Sequence, residues 1–173
     1  MPETLVLDTS AALAILLGEP EAPAVREHLL AASGGSILVL DLFWLEVVNV
    51  LTRRHGWEAD AVVEALRDLD ELGLETVAPD RPMVLVSLDL ATLHGLSAYD
   101  AAHLALAETA DAALLTLDAR LGRAAGARAA LGPRPSTHEA REPYGPDGSG
   151  ADGPHWARHG RYLSELRRAV AGG

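Results

Sequence analysis

Residues 4–17 read TLVLDTSAALAILL, and the reading of this stretch decides the fold. Leu5, Val6 and Leu7 form a short apolar run of the kind expected from a strand buried on both faces. Ala11, Ala12, Leu13, Leu16 and Leu17 then read as the start of a helix. Asp8, Thr9 and Ser10 stand between the two. An ionised carboxylate wedged between buried elements is costly unless something compensates its charge. One reading makes Asp8, Thr9 or Ser10 the cap of the following helix, since a side-chain oxygen there accepts an otherwise unpaired backbone N–H. The other requires polar groups from elsewhere in the chain to meet Asp8.

Strand-like and helical segments alternate along the chain from this point. Helices are expected near 10–17 and 21–32, and Gly34-Gly35 breaks the chain before the apolar run Ile37-Leu38-Val39-Leu40. Helices near 42–55 and 58–72 precede a short strand, Leu74-Glu75-Thr76-Val77. Helices follow at about 81–94 and 99–110, then a strand over 113–116 and a short helix over 119–125. Such alternation implies parallel strands joined by right-handed crossovers, hence an α/β sandwich. After residue 131 the texture changes to GPRPSTHEAREPYGPDGSGADGPH, which is rich in Pro and Gly and reads as a linker over 132–155. Residues 156–173 read as a C-terminal helical extension, weakly amphipathic through Trp156, Tyr162, Leu163, Leu166 and Val170.

Composition closes several options. At 173 residues, 49% hydrophobic and 23% charged, the chain suits one globular domain with a proper core. Without cysteine it can form neither a disulfide framework nor a thiolate metal site. All 14 basic residues are Arg, so a lysine-dependent phosphate loop or Schiff-base chemistry is excluded. The N-terminus has no basic stretch ahead of an apolar one, and no apolar run approaches the length of a membrane span; a cytoplasmic location is the expectation. Residues 1–119 hold 20 acids and 5 Arg, whereas residues 120–173 hold 5 acids and 9 Arg. The acidic body is poorly suited to nonspecific nucleic-acid binding. It suits a basic partner, or acids gathered around metal ions.

In an open parallel sheet, ligands bind beyond the carboxyl ends of the strands. Asp8, Asp41, Asp100 and Asp118 fall there. Taken singly, each reads equally as a cap or as a first-turn acid favoured by the helix dipole, and Asp41 is assigned as a cap. Glu46 is placed differently, one turn into a helix among Phe43, Trp44, Leu45, Val47 and Val48. It could pair with Arg53 or Arg54, face solvent, or join the other acids. Taken jointly, Asp8, Glu46, Asp100 and Asp118 would converge on one sheet edge, and like charges at such range need a cation to stay ionised. All-oxygen clusters of this type suit Mg2+ or Mn2+. His103, three residues after Asp100, reads as a packed or surface histidine, with a role near the acids as the alternative; the other six histidines show no metal-ligand spacing.

Four segments, LVLDTSAALAILL, FWLEVVNVLTRR, LSAYDAAHLALAE and LLTLDARL, in this order and spacing, resemble the PIN-domain ribonucleases. They are particularly similar to VapC-type toxins of toxin–antitoxin pairs. The resemblance covers about residues 4–126 and implies a PIN-like nuclease domain over 1–131, a three-layer αβα sandwich with a four- or five-stranded parallel sheet. It further implies a metal-dependent endoribonuclease with Asp8, Glu46, Asp100 and Asp118 as catalytic and metal-binding acids, holding Mg2+ or Mn2+. Asp8, Asp100 and Asp118 would be the main ligands. Thr9, Ser10 and Thr116 match small hydroxyl positions that line such a pocket. Asn49 and Arg53 share a helical face with Glu46 and could meet the phosphate or be structural. RNA, a cognate antitoxin and a second copy in a homodimer are the implied partners. The family usually completes the sheet with another strand after the last acid, but the Ala- and Arg-rich residues 123–131 do not read as one.

Two other readings stand beside this one. A PIN-fold binding or regulatory module without turnover would keep the acids for metal or partner contact. A different α/β protein is the third: a haloacid-dehalogenase-like phosphatase wants an acid at position 10, where Ser10 stands, and a response-regulator receiver wants a lysine.

Overall fold

The computed structural model describes residues 4–131. The linker and extension expected over 132–173 lie outside the described residues. Four strands form one parallel sheet: β1 (Leu5–Leu7), β2 (Ile37–Leu40), β3 (Leu74–Val77) and β4 (Ala113–Leu115), in the order β3-β2-β1-β4. Seven helices connect and cover them: α1 (Thr9–Leu17), α2 (Ala22–Ala31), α3 (Asp41–Arg53), α4 (Ala59–Asp70), α5 (Arg81–His94), α6 (Ala98–Thr109) and α7 (Ala119–Ala125). The αβα sandwich expected from the alternation is present, with four strands.

Successive strand residues face opposite sides of the sheet, which divides the core in two. Leu5, Leu7, Ile37, Val39 and Leu115 pack with α1–α4, whereas Val6, Leu40 and Leu114 pack with α5–α7. Both faces are covered, which is why β1 and β2 are unbroken apolar runs rather than alternating ones. The connections β1-to-β2 and β2-to-β3 advance one strand at a time in one direction. The connection through α5 and α6 returns over the sheet to place β4 on the other side of β1. The strand order therefore reverses between β1 and β4, and the crevice at their carboxyl ends is where such sheets bind ligands. Asp8 follows β1 and Thr116 follows β4 at that crevice, and the Asp8 N–H bonds the Leu115 carbonyl at 3.0 Å.

Capping fixes the helix starts near the site. Asp80 accepts the Met83 N–H at 2.8 Å and Pro82 occupies the first turn of α5. We expect Asp80→Ala to cost about 1 kcal/mol, the usual loss for such a cap, read as a lower urea midpoint at unchanged slope. Asp41 corrects an expectation: Leu40 is the capping residue and Asp41 the first residue of α3. Its carboxylate is exposed and makes no side-chain cap, so it acts only as a first-turn charge near the helix dipole. Beside β4 the described residues add an isolated bridge and no fifth strand. Gly126–Arg128 form a 3-10 turn, after which Ala129 makes a single parallel bridge to Leu114, and the Ala130 N–H bonds the Leu114 carbonyl at 2.9 Å. Among the described residues, no helix is long and apolar enough to cross a membrane.

Candidate active site

The site is built from the ends of β1 and β4, the first turns of α1 and α6 and the second turn of α3. Asp8 is only 6% exposed and is held on one side by two hydroxyls. Its Oδ2 accepts from Ser10 Oγ at 2.5 Å and from Thr116 Oγ1 at 2.8 Å, with the Ser10 N–H more distant at 3.3 Å. Each hydroxyl in turn accepts a backbone N–H: Ser10 from Leu117 at 2.9 Å, and Thr116 from Asp118 at 3.0 Å. Two relays, from peptide to hydroxyl to carboxylate, thus converge on one oxygen. Oδ1 takes no hydrogen bond from the described residues and faces His103 Nε2 at 3.7 Å. Asp8 is therefore the cap of α1, with one oxygen that takes no hydrogen bond from the described residues.

Thr9, the neighbour of Ser10, turns about a helical step away and donates to Glu46 Oε2 at 2.6 Å. Glu46 is half-buried, and its carboxyl is pushed above the usual carboxylate range. Desolvation is the largest cause; the Thr9 hydrogen bond and the His103 charge oppose it, and the Asp8 and Asp100 charges reinforce it. Asp8, Glu46, Asp100 and His103 thus share one electrostatic neighbourhood. Neither Arg53 nor Arg54 takes part, and both are exposed, as is Asn49.

Asp100 sits in the first turn of α6, where Ser97 is the cap: Ser97 Oγ accepts the Asp100 N–H at 3.0 Å and donates to Asp100 Oδ2 at 2.7 Å. Asp118 caps α7, its Oδ1 accepting the N–H groups of Arg120 and Leu121, each at 2.8 Å. Arg120 also donates to the Gly95 carbonyl, tying α7 to the turn between α5 and α6. Asp118 reaches the other acids only through Thr116, and its charge is not among those acting on Glu46. Among the described residues, no three acid or histidine side chains stand close enough to share one metal ion.

Removing one hydroxyl tests the relay. Thr116→Val should cost about 1.5–3 kcal/mol, the worth of a hydrogen bond to a charged group, visible as a lower unfolding midpoint. Ser10 would remain on Asp8, so the fold should persist.

A family model matches residues 5–127, and its description is PIN domain. The chain belongs to the PIN-domain family. PIN domains are in general nucleases, so hydrolysis of nucleic acid is the family-level activity. The crystal structure of PAE2754 from Pyrobaculum aerophilum is similar in fold, with a TM-score of 0.55 and 24% identity over 73% of this chain and 82% of that one. Comparison with curated proteins finds no match.

This PIN domain brings together three of the four acids expected from sequence, Asp8, Glu46 and Asp100, and adds His103. PIN-domain nucleases usually use divalent metals, and the donor set fits one. Asp8 Oδ1 takes no hydrogen bond from the described residues, and the Glu46 carboxyl is raised first by desolvation and then by the Asp8 and Asp100 charges, so a cation placed among these acids would relieve both. Mg2+ and Mn2+ keep several waters and commonly take only one or two carboxylates from the protein, so three shared side chains are not required.

Proposed function

We propose that this PIN domain is a metal-dependent endoribonuclease that hydrolyses RNA phosphodiester bonds and acts as the toxin of a toxin–antitoxin pair. The observation that carries the reading is the Asp8 carboxylate: buried at the strand-reversal crevice, fixed through Oδ2 and open at Oδ1. When bound, a divalent cation supplies neutralisation of the phosphate, a more acidic water and stabilisation of the leaving oxygen. The protein's own residues do the positioning. Ser10 and Thr116 lock the Asp8 rotamer, Thr9 holds Glu46 toward the same space, and Ser97 orients Asp100. Asp8 and Asp100 are the metal ligands in this reading, with Glu46 and Asp118 acting directly or through water.

Tyr99, 65% exposed, and Leu45, 74% exposed, flank Asp100 and Glu46 in sequence and offer apolar surface to a base or to a partner segment. The acidic body favours an antitoxin whose inhibitory segment is rich in Arg or Lys. The exposed Val84, Leu85 and Leu88 of α5 support a homodimer. A PIN-fold binding module without turnover is favoured by one observation, the commitment of Asp118 Oδ1 to two helical N–H groups.

Incubation with single-stranded RNA in Mg2+ or Mn2+, with and without chelator, separates the readings. Cleavage that stops with chelator supports the nuclease. RNA left intact with both metals supports the binding module. For the toxin role, expression in a bacterial host should arrest growth, and Asp8→Asn should abolish the arrest.

A further inference from the structure

We propose that His103 is a nitrogen ligand of the site's metal, acting through Nε2 beside Asp8 Oδ1, and that this donor biases the site toward Mn2+ over Mg2+. The inference rests on the metal-dependent reading above and adds a residue and a selectivity to it.

His103 is 1% exposed, so its polar atoms are shut off from water. Its Nδ1 lies 3.1 Å from the Tyr99 carbonyl oxygen. A carbonyl can only accept, so Nδ1 carries the hydrogen, and in the neutral ring that leaves a bare lone pair at Nε2. Nε2 is buried with no hydrogen-bond partner among the described residues. An unpaired polar atom buried this deeply is rare in native structures and calls for a bound water or ion, or a functional cause. Facing it at 3.7 Å is Asp8 Oδ1, also without a hydrogen bond. The separation is too long for an N–H···O hydrogen bond. With the ring neutral, two acceptors are turned toward each other in a buried crevice, which is unfavourable unless a proton or a metal ion stands between them.

The supporting hydrogen bond points the same way. Metal-ligating histidines almost always donate their other ring N–H to a carbonyl or carboxylate, which fixes the tautomer and aims the lone pair. The Tyr99 carbonyl does that here. His103 and Asp100 are three residues apart on α6 and so occupy neighbouring positions on one helical face. Mg2+ prefers oxygen donors, whereas imidazole suits first-row transition ions and affinity for them rises from Mn2+ onward. A mixed nitrogen and oxygen set therefore shifts preference away from Mg2+.

The test is electron spin echo spectroscopy of Mn2+ bound to the full chain, prepared with natural-abundance histidine and with 15N-histidine. A bound ion showing nitrogen modulation that changes on 15N labelling supports the proposal. Mn2+ bound without that modulation overturns it and leaves the metal-dependent nuclease standing. Failure of Mn2+ to bind at all overturns both. Calorimetry on His103→Leu supplies the selectivity: Mn2+ affinity should fall at least about tenfold while Mg2+ affinity changes less than about threefold. Equal loss for both ions would overturn the bias. Should the variant not fold, the labelled wild-type spectrum still decides.

Discussion

Asp8→Asn should leave the fold intact and lower RNA cleavage at least about 100-fold. Asn is nearly isosteric and is as good a helix cap as Asp. Its amide oxygen can still accept from Ser10 and Thr116, which now bond Asp8 Oδ2. What disappears is the charge, together with the oxygen that faces His103. Metal-assisted catalysis supplies several kcal/mol of charge stabilisation, and each 1.36 kcal/mol is tenfold in rate. Loss of about 3 kcal/mol therefore already exceeds 100-fold. The check is kcat/KM on a single-stranded RNA with the melting temperature measured in parallel. A variant that cuts normally would mean that Asp8 serves only as the α1 cap.

Glu46→Gln should reduce cleavage by a similar factor, yet stabilise the metal-free protein at neutral pH. The Glu46 carboxyl is raised above the usual carboxylate range, first by desolvation and then by the Asp8 and Asp100 charges, against the Thr9 hydrogen bond and the His103 charge. A folded-state value above the unfolded one means that the folded protein holds this proton more tightly. The associated stability is fully present below the unfolded value and is lost as pH rises through the folded one. Wild type thus carries a penalty at pH 7 that Gln, neutral at every pH, lacks. For a chain of this size, each 1 kcal/mol of relief is worth about 2–4 °C in melting temperature. The difference between variant and wild type should vanish near pH 4, grow toward pH 7, and shrink again when Mn2+ or Mg2+ is added to wild type. A variant that melts at or below wild type at pH 7 would show that Glu46 is not a strained charge. The combination of more stable and less active is the pattern of a group held for function at a cost to the fold.

Strands β1 and β2 were legible because they are covered on both faces. Leu5–Leu7 and Ile37–Leu40 are apolar throughout, and the intervening helices carry periodic apolar faces. The edge was harder to read: residues 126–131 keep only one bridge to Leu114, too little pairing to impose a strand-like pattern. Asp8, Glu46 and Asp100 could be found from their positions after strands or among apolar neighbours. The division of labour between adjacent hydroxyls, Ser10 to Asp8 and Thr9 to Glu46, could not, because it depends on how α3 packs beside α1. His103 reads from the sequence as a packed or surface histidine. Residues Ala101–Ala107 of α6 are all buried, so the helix has no apolar face to contrast with a polar one, and the direction of His103 is invisible to periodicity. Its spacing of three from Asp100 was the one usable signal.

The most direct measurement is calorimetric titration of Mn2+ and Mg2+ into metal-free wild type and Asp8→Asn. Wild type should bind saturably and the variant should not, at equal melting temperature. Equal binding by the two proteins, or none by either, would contradict the assignment of Asp8 as a metal ligand.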